Sequence, residues 1–211
     1  MRLFVTATNT GVGKTHTTLQ LIELAARRGL KPGVYKPIET GCAPICHDGS
    51  ALLQKCQEFN KNFSKFSLED IVPYRFTLPA APIVAKEEPI EIDRIIEGAR
   101  RLQEACDILF IEGAGGLMVP INCDLFMIDL IDLLHAKALL VCPSRLGSIN
   151  DTLLSRKALE DRGIKYRWYI NLYEDKEDFW RITAPYYKMC GEEIPTQLES
   201  VFDSYAHGDG A

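Results

Sequence analysis

The apolar residues of this chain fall into short continuous runs, separated by longer segments with helical periodicity. These runs predict five strands, at about 3–8, 33–37, 106–116, 136–143 and 165–171. The segments between them predict helices at about 14–29, 49–59, 91–105, 125–135 and 149–163. The runs "ILFI" and "ALLV" do not alternate with polar residues, which is typical of strands buried on both faces. The pattern predicts one α/β domain, 1–211, with a mostly parallel sheet and helices on both faces.

The composition of the chain argues against several classes of function, beginning with nucleic-acid and membrane binding. The chain has 211 residues, 46% of them hydrophobic and 25% charged, and a net charge of −5. Because it has no long basic stretch, we expect it to bind neither nucleic acid nor a membrane. The first apolar run is too short for a signal sequence, and no stretch is long enough to span a bilayer. Seven cysteines, an odd number, then predict reduced thiols in a cytoplasmic protein.

The first predicted turn resembles a phosphate-binding loop. The segment "ATNTGVGKT" (7–15) matches the pattern G-x-x-x-x-G-K-[ST], except that the first glycine is replaced by Thr8. Gly11 and Gly13 allow backbone N–H groups to approach phosphate oxygens. Lys14 can reach the β- and γ-phosphates, and Thr15 can offer its hydroxyl to Mg²⁺. A dinucleotide-binding turn needs a third glycine that this turn lacks, so the fold is predicted to be of the P-loop NTPase type.

Other candidate groups follow the next strands. Glu112 ends an apolar run and precedes four small residues, 113–116, and Lys36 lies in "YKPIETG" where the second strand ends. The carboxyl ends of parallel strands meet at one edge, so these groups are expected near the phosphate loop. Lys14 and Lys36 together would neutralise a triphosphate and a second anion. Three classes stay open on this ground: a switch ATPase, a kinase, and a ligase that activates a carboxylate or carbamate.

Four segments together resemble one family. "TATNTGVGKT", "YKPIETG", "IEGAGG" and "RLGSIN" are similar to the dethiobiotin synthetases, over residues 1 to about 171. Partitioning ATPases of related fold carry an extra lysine early in the loop, where this chain has Asn9. Amide-forming synthetases of cobalamin assembly usually carry a glutaminase domain, for which 211 residues leave no room. The resemblance therefore favours the ligase.

The resemblance implies a chemistry. Members of this family use MgATP, CO₂ and 7,8-diaminononanoate to close a cyclic urea in biotin biosynthesis. One amine captures CO₂ as a carbamate, ATP phosphorylates the carbamate, and the second amine displaces phosphate. A homodimer is implied, with the helix after "RLGSIN" reaching the partner's site and its N-terminus near the substrate carboxylate. An ordinary capped helix is the alternative reading of that segment.

The resemblance also assigns residues. Those implied for catalysis are Lys36, Lys14 and Thr10. Those implied for ATP are Gly11, Val12, Gly13, Lys14, Thr15, His16, Glu112, Gly113, Ala114, Gly115 and Asn171. Those implied for the diamine substrate are Thr40, Gly115, Gly116 and Asn150. Those implied for Mg²⁺ are Thr15, Glu112 and Asp48.

Two local questions stay open. The family usually has an aspartate directly before "AL", where this chain has Ser50, so either Asp48 reaches the metal or water completes its shell. Cys42, Cys46 and His47, with Cys56 nearby, have a loose zinc-like spacing, although ordinary loop thiols are the favoured interpretation.

Overall fold

A five-stranded parallel sheet forms the centre of the computed structural model, which describes residues 1–173 and 175–207. The strands of the described chain are β1 Arg2–Ala7, β2 Pro32–Tyr35, β3 Ile38–Thr40, β4 Tyr74–Phe76, β5 Ile108–Glu112, β6 Lys137–Pro143 and β7 Tyr166–Asn171. The central sheet has the order β2-β5-β1-β6-β7, and all of its pairs are parallel. The predicted α/β class with a parallel sheet is confirmed.

Burial explains why the strands lack polar alternation. Successive side chains of a strand point to opposite faces of the sheet, and every residue of β5 is buried. Both faces of the sheet are therefore covered. Val5 of β1 lies opposite Glu112 on one side and Leu139 on the other, so β1 is at the centre.

Helices surround this sheet. They are α1 Lys14–Arg27, α2 His47–Phe59, α3 Leu68–Ile71, α4 Pro82–Ala85, α5 Ile92–Gln103, α6 Asp129–Leu133, α7 Ser148–Asp161, α8 Lys176–Asp178, α9 Ala184–Met189 and α10 Leu198–His207. A 3₁₀ helix spans Lys61–Lys65, and a π-helical turn spans Phe179–Thr183. α1 packs against β5, α2 and α10, whereas α7 packs on β6. In the described part of the chain, no helix has the length and apolar character needed to cross a bilayer.

Several element boundaries differ from the sequence prediction. The helix predicted over 125–135 is only five residues long, because Phe126 pairs with Pro120 and keeps the preceding segment extended. The run predicted as strand 106–116 ends at Glu112, since the glycines after it turn away into a loop. β3 and β4 form a separate two-stranded sheet that the sequence analysis did not predict.

The C-terminal segment packs on the same core as the rest. The Tyr205 hydroxyl donates to the Ala138 carbonyl at 2.6 Å and accepts from the Arg167 N–H at 3.2 Å. The ring of Phe202 lies 6.2 Å from that of Phe110. The single domain over 1–211 stays a prediction, and residues 174 and 208–211 lie outside the described part.

Candidate active site

The turn between β1 and α1 presents backbone N–H groups at the carboxyl edge of the sheet. Gly11 and Gly13 have φ angles of 76° and 95°, a left-handed conformation that residues with side chains rarely adopt. α1 begins at Lys14 directly after the turn, so its N-terminal N–H groups and positive dipole end face the same space. The turn therefore has the geometry of an anion-binding loop.

Two side chains from the end of β7 and the segment after it hold this turn. Asn171 donates from Nδ2 to the Val12 carbonyl at 3.0 Å, and the Tyr173 hydroxyl donates to the Gly11 carbonyl at 2.6 Å. A Cβ at Gly13 would lie 2.3 Å from Asn171 Nδ2, so this glycine has no room for a side chain. Sequence reasoning missed Tyr173, because no local pattern links it to a turn far away in the chain.

Glu112 is the centre of a buried hydrogen-bond network. Its side chain is fully buried at the end of β5. Its Oε1 accepts from Lys36 Nζ at 2.6 Å and from the Thr15 hydroxyl at 2.9 Å. Its Oε2 accepts from the Thr18 hydroxyl at 2.8 Å. A buried carboxylate is stable only when it is paired and hydrogen-bonded, and these three donors meet that need. Thr18 was not predicted, although it lies one turn after Thr15 on α1.

The two lysines of the cleft are both buried, and they repel each other. Burial, together with the charge of Lys36, lowers the pKa of Lys14 to about 8. Its ammonium group donates to the Asn9 carbonyl at 3.3 Å. Burial by itself lowers the pKa of Lys36, but the charges of Glu112 and Asp48 outweigh this and raise it. The raised pKa favours the charged form of Lys36, whereas an anionic ligand would be needed to favour the charged form of Lys14 to the same degree.

Asp48 lies at the mouth of this network, in the first turn of α2. Its Oδ2 is 3.4 Å from Lys36 Nζ, and its side chain is 47% exposed. Glu39 of β3 holds it there, since its carboxylate accepts the N–H groups of Asp48 at 3.1 Å and of Gly49 at 2.8 Å. Burial raises the pKa of Glu39. Sequence reasoning did not single out Glu39, because its role is to bind the first turn of α2 and no sequence motif marks that contact.

These groups surround one cavity of about 310 Å³. Its described lining residues are Thr10, Gly11, Gly13, Lys14, Thr15, His16, Lys36, Glu39, Thr40, Asp48, Gly113, Ala114 and Gly115. Most of the residues predicted for catalysis, ATP and metal therefore meet in one place. Asp48 lines the cavity, and Ser50 is not among the described lining residues; the choice between Asp48 and water for the metal shell stays a prediction.

The oxygen donors of the cavity fit a Mg²⁺ ion. Thr15 and Asp48 line the cavity with a hydroxyl and a carboxylate, which are hard ligands of the kind that Mg²⁺ prefers. The carboxylate of Glu112 is fully buried behind Thr15 and is not among the described lining residues. Both oxygens of Glu112 already accept hydrogen bonds, whereas Asp48 is half-exposed. The donor set suits an ion that keeps several water ligands, as Mg²⁺ does beside phosphates.

The residues predicted for the diamine are divided between two places. Thr40 and Gly115 line the cavity, whereas Gly116 lies behind it in a second groove of about 240 Å³. This groove runs between the loop after β5 and α7. Asn150 is exposed in the first turn of α7, and none of the described residues that line the cavity comes from α7. In a single chain, the N-terminus of α7 does not complete the cleft.

The cysteines require a correction. Cys42 and Cys46 form a disulfide, so the prediction that all seven cysteines are reduced thiols is wrong for this pair. Two residues that the proposed zinc spacing needs are thereby bonded to each other. Cys56 is buried and donates to the Pro32 carbonyl at 3.3 Å, away from that pair. Among the described residues, the ligand atom close to the pair comes from Glu39 and not from His47 or Cys56, so the predicted zinc set is not formed while the disulfide is intact.

Comparisons with known proteins find relatives that match most of the chain. A family model described as an AAA domain matches residues 1–177. An ATP-dependent dethiobiotin synthetase of Sulfurovum sp. (strain NBC37-1) is 54% identical over 186 residues, which cover 88% of this chain and 89% of that protein. The enzyme of the same name from Wolinella succinogenes is 43% identical over 196 residues, covering 91% of this chain and 90% of that protein.

Solved structures of similar fold are remote in sequence. A plasmid partition protein from Borrelia burgdorferi has a TM-score of 0.60 at 10% identity, covering 98% of this chain and 97% of that one. The MinC:MinD cell division protein complex from Aquifex aeolicus has a TM-score of 0.59 at 15% identity, covering 100% and 97%. At such identities the likeness concerns the fold alone, and it confirms the predicted P-loop NTPase type.

Proposed function

Because the chain belongs to the family of ATP-dependent dethiobiotin synthetases, which are cyclo-ligases of biotin biosynthesis, we propose how its own residues close the ring. The substrates are 7,8-diaminononanoate and CO₂. One amine captures CO₂ as a carbamate, whose oxygen attacks the γ-phosphorus of ATP and releases ADP. The second amine then attacks the carbamic–phosphoric anhydride at carbon, and phosphate leaves as the cyclic urea forms.

The paired lysines carry this proposal. A carbamate and a γ-phosphate are both anions, so their approach needs positive charge that is already in place. Lys14 begins α1 beneath the phosphate loop, and Lys36 reaches the same cavity from the end of β2. Because Lys36 is held by Glu112 and keeps its charge, it suits the carbamate and the transferring phosphoryl group. Lys14 suits the β- and γ-phosphates.

Smaller roles follow from position. Gly11, Val12 and Gly13 would present backbone N–H groups to the phosphates, and the hydroxyls of Thr10 and Thr40 would hydrogen-bond the reacting groups from the cavity wall. Asn171 is proposed for the adenine. Its Nδ2 already donates to a phosphate-loop carbonyl, which leaves its Oδ1 and one N–H for a base.

We assign the metal to Thr15, Glu112 and Asp48. A Mg²⁺ ion held there would offset phosphate charge and orient the γ-phosphate. Lys36 and Thr15 donate to Glu112 and fix the orientation of its buried carboxylate. Glu112 would hold the ion directly or through a water ligand.

A homodimer would complete the diamine end of the site. The N-terminus of α7 lies outside its own chain's cavity, and three apolar side chains around it are largely exposed: Met118 at 55%, Leu146 at 75% and Leu154 at 64%. Apolar surface of this kind is usual at interfaces. An isologous dimer built on this face would bring one protomer's α7, with Asn150, toward its partner's cleft. Apart from this α7 contribution, the residues that line each cavity come from a single chain, which we propose to be one domain.

The direct test is product formation. Purified protein is incubated with MgATP, bicarbonate and 7,8-diaminononanoate, and dethiobiotin is measured by mass spectrometry beside ADP and phosphate. We expect dethiobiotin and ADP in equal amounts, and neither when the diamine is left out. Hydrolysis of ATP at the same rate without the diamine would instead indicate a switch ATPase.

A further inference from the structure

A disulfide closes the loop that joins two walls of the cleft. Cys42 and Cys46 are bonded across the segment between β3 and α2, with their Cα atoms 4.4 Å apart. Residues 43–45 are exposed, Cys42 is half-buried and Cys46 is buried. A small thiol can therefore reach the Cys42 sulfur, with Cys46 as the leaving thiolate. Nothing in the ligase reaction uses this pair.

Each end of the closed loop carries a residue of the cavity. Thr40 precedes Cys42 by two positions, and Asp48 follows Cys46 by two positions. Both line the 310 Å³ cavity, and the carboxylate of Asp48 lies 3.4 Å from Lys36 Nζ. The shape of this short loop therefore sets the distance between two groups that face the ligand.

The described hydrogen bonds that restrain the loop lie at its two ends. The Cys42 N–H donates to the Phe76 carbonyl at 2.9 Å, which fixes the β3 end of the loop. At the α2 end, the Glu39 carboxylate accepts the N–H groups of Asp48 and Gly49. Between these points residues 43–45 are exposed, so breaking the S–S bond would free the segment that leads into the first turn of α2.

We propose that Cys42 and Cys46 are a reversible dithiol–disulfide pair that controls Mg²⁺-dependent nucleotide binding through Asp48. A low-molecular-weight disulfide of the glutathione class oxidises the pair. Two S–H bonds break, one intramolecular S–S bond forms, and the two electrons and two protons reduce the small disulfide to two thiols. The disulfide adds to the restraint that Glu39 places on the first turn of α2, and its reduction removes that addition, so that Asp48 is held less firmly at the cavity. The choice of Asp48 rests on its proposed place in the metal shell.

Glu39 connects the cysteine pair to Asp48. The sulfur atoms of Cys42 and Cys46 and a carboxylate oxygen of Glu39 all lie within 4.8 Å of one another. Reduction would thus place two thiols beside the residue that anchors the first turn of α2. Breaking or forming the S–S bond would in this way affect Asp48 through Glu39, which lies beside the sulfur atoms and accepts the Asp48 N–H.

The test compares two forms of the full chain. One is oxidised with glutathione disulfide, and the other is reduced with a phosphine that is then removed. Alkylation and mass spectrometry verify the state of each cysteine. The affinity for a fluorescent ATP analogue is then measured with and without Mg²⁺. We expect reduction to weaken the Mg²⁺-dependent affinity by about tenfold, the lower end of what disturbing a metal site's supporting shell costs. The Mg²⁺-free affinity should not change.

Variants separate this pair from the other thiols. Cys42→Ser and Cys46→Ser should both bind like the reduced form whether or not glutathione disulfide is present. Cys123→Ser and Cys190→Ser, at exposed cysteines outside the site, should respond to oxidation as the unchanged chain does. Cys46 is buried, so Cys46→Ser could fold poorly. The comparison of Cys42→Ser with the oxidised and reduced forms of the unchanged chain then still tests the inference.

Several outcomes would overturn the inference. Equal Mg²⁺-dependent affinities in the two verified forms would do so, and so would a pair that stays alkylatable after oxidation. One Zn²⁺ bound per reduced chain, lost in both serine variants, would make the pair a metal site instead. Failure of dethiobiotin synthesis in both forms, with the redox effect on binding intact, would count against the proposed function and leave this inference standing.

Discussion

Replacing Lys36 by methionine removes one charge from a buried pair and leaves the side-chain length almost unchanged. The Lys36 side chain is 4% exposed, and its Nζ lies 2.6 Å from Oε1 of the fully buried Glu112. After the change, Glu112 keeps only the hydroxyls of Thr15 and Thr18 as donors. The variant therefore tests two separate consequences, one for stability and one for turnover.

The stability effect follows from the unpaired carboxylate. Removing one partner of a buried ion pair costs about 3–5 kcal/mol, and the two remaining hydroxyls favour the lower end, about 3 kcal/mol. A chain of this size loses about 2–4 °C in Tm per kcal/mol, so we expect a decrease of about 6–12 °C without ligands. Calorimetry measures this directly.

The catalytic effect follows from the lost cation. Removing one preorganised group that faces developing charge lowers kcat by about 10²–10³-fold. Lys14 and the phosphate loop are untouched, so nucleotide binding should persist. Steady-state rates of dethiobiotin formation, measured beside the nucleotide Kd, separate these two quantities.

A second variant distinguishes folding from chemistry. In Lys36→Met/Glu112→Gln the unpaired charge is gone, so the Tm should recover in part while turnover stays low. A kcat for Lys36→Met within a few-fold of the unchanged enzyme would refute the role given to Lys36. Equal losses of Tm in the single and double variants would refute the coupling between the two charges.

Three further changes probe the rest of the cleft. Because the pKa of Lys14 is about 8 in the free protein, and bound phosphate favours its charged form, nucleotide binding should take up protons and weaken as the pH rises above 8. Calorimetry in buffers of different ionisation enthalpy should show this uptake near pH 9 and almost none near pH 6.5; uptake that does not change with pH would exclude Lys14. Asp48→Asn should raise the Mg²⁺ concentration needed for half-maximal rate more than Ser50→Ala does, since only Asp48 lies beside Lys36; the reverse order would place the metal elsewhere. Gly13→Ala should weaken nucleotide binding, because its φ of 95° is strained for any side chain and a Cβ there would displace the Asn171 amide. Gly29→Ala has a similar positive φ but open space around it, so it should lose stability and still bind; loss of binding in both would trace the effect to α1 as a whole.

The sheet and the phosphate loop could be predicted because each has a local signature. Strands buried on both faces leave continuous apolar runs, such as those of β5 and β6, and the turn needs glycines at fixed places. β3 and β4 have three residues each, which is too short for an apolar period to show. The order of the strands in the sheet depends on which strands pair with each other, and the sequence of a single strand does not determine its neighbours.

The site was predictable only in part for a similar reason. Lys36 and Glu112 stand at strand ends, where position along the chain already indicates position in the fold. Thr18, Glu39 and Tyr173 act through partners that are distant in sequence or joined by a helix terminus, so their roles follow only from the folded distances. The bond between Cys42 and Cys46 is of the same kind, since a spacing of four is equally compatible with free thiols.

The fate of one oxygen atom shows whether ATP activates a carbamate. A single turnover is started by adding ¹⁸O-labelled bicarbonate to enzyme, MgATP and diamine in unlabelled water, before the label exchanges. The phosphate released with dethiobiotin should carry ¹⁸O, because the carbamate oxygen that attacks the γ-phosphorus leaves with it. Dethiobiotin formed together with phosphate that carries no label from bicarbonate would contradict this mechanism.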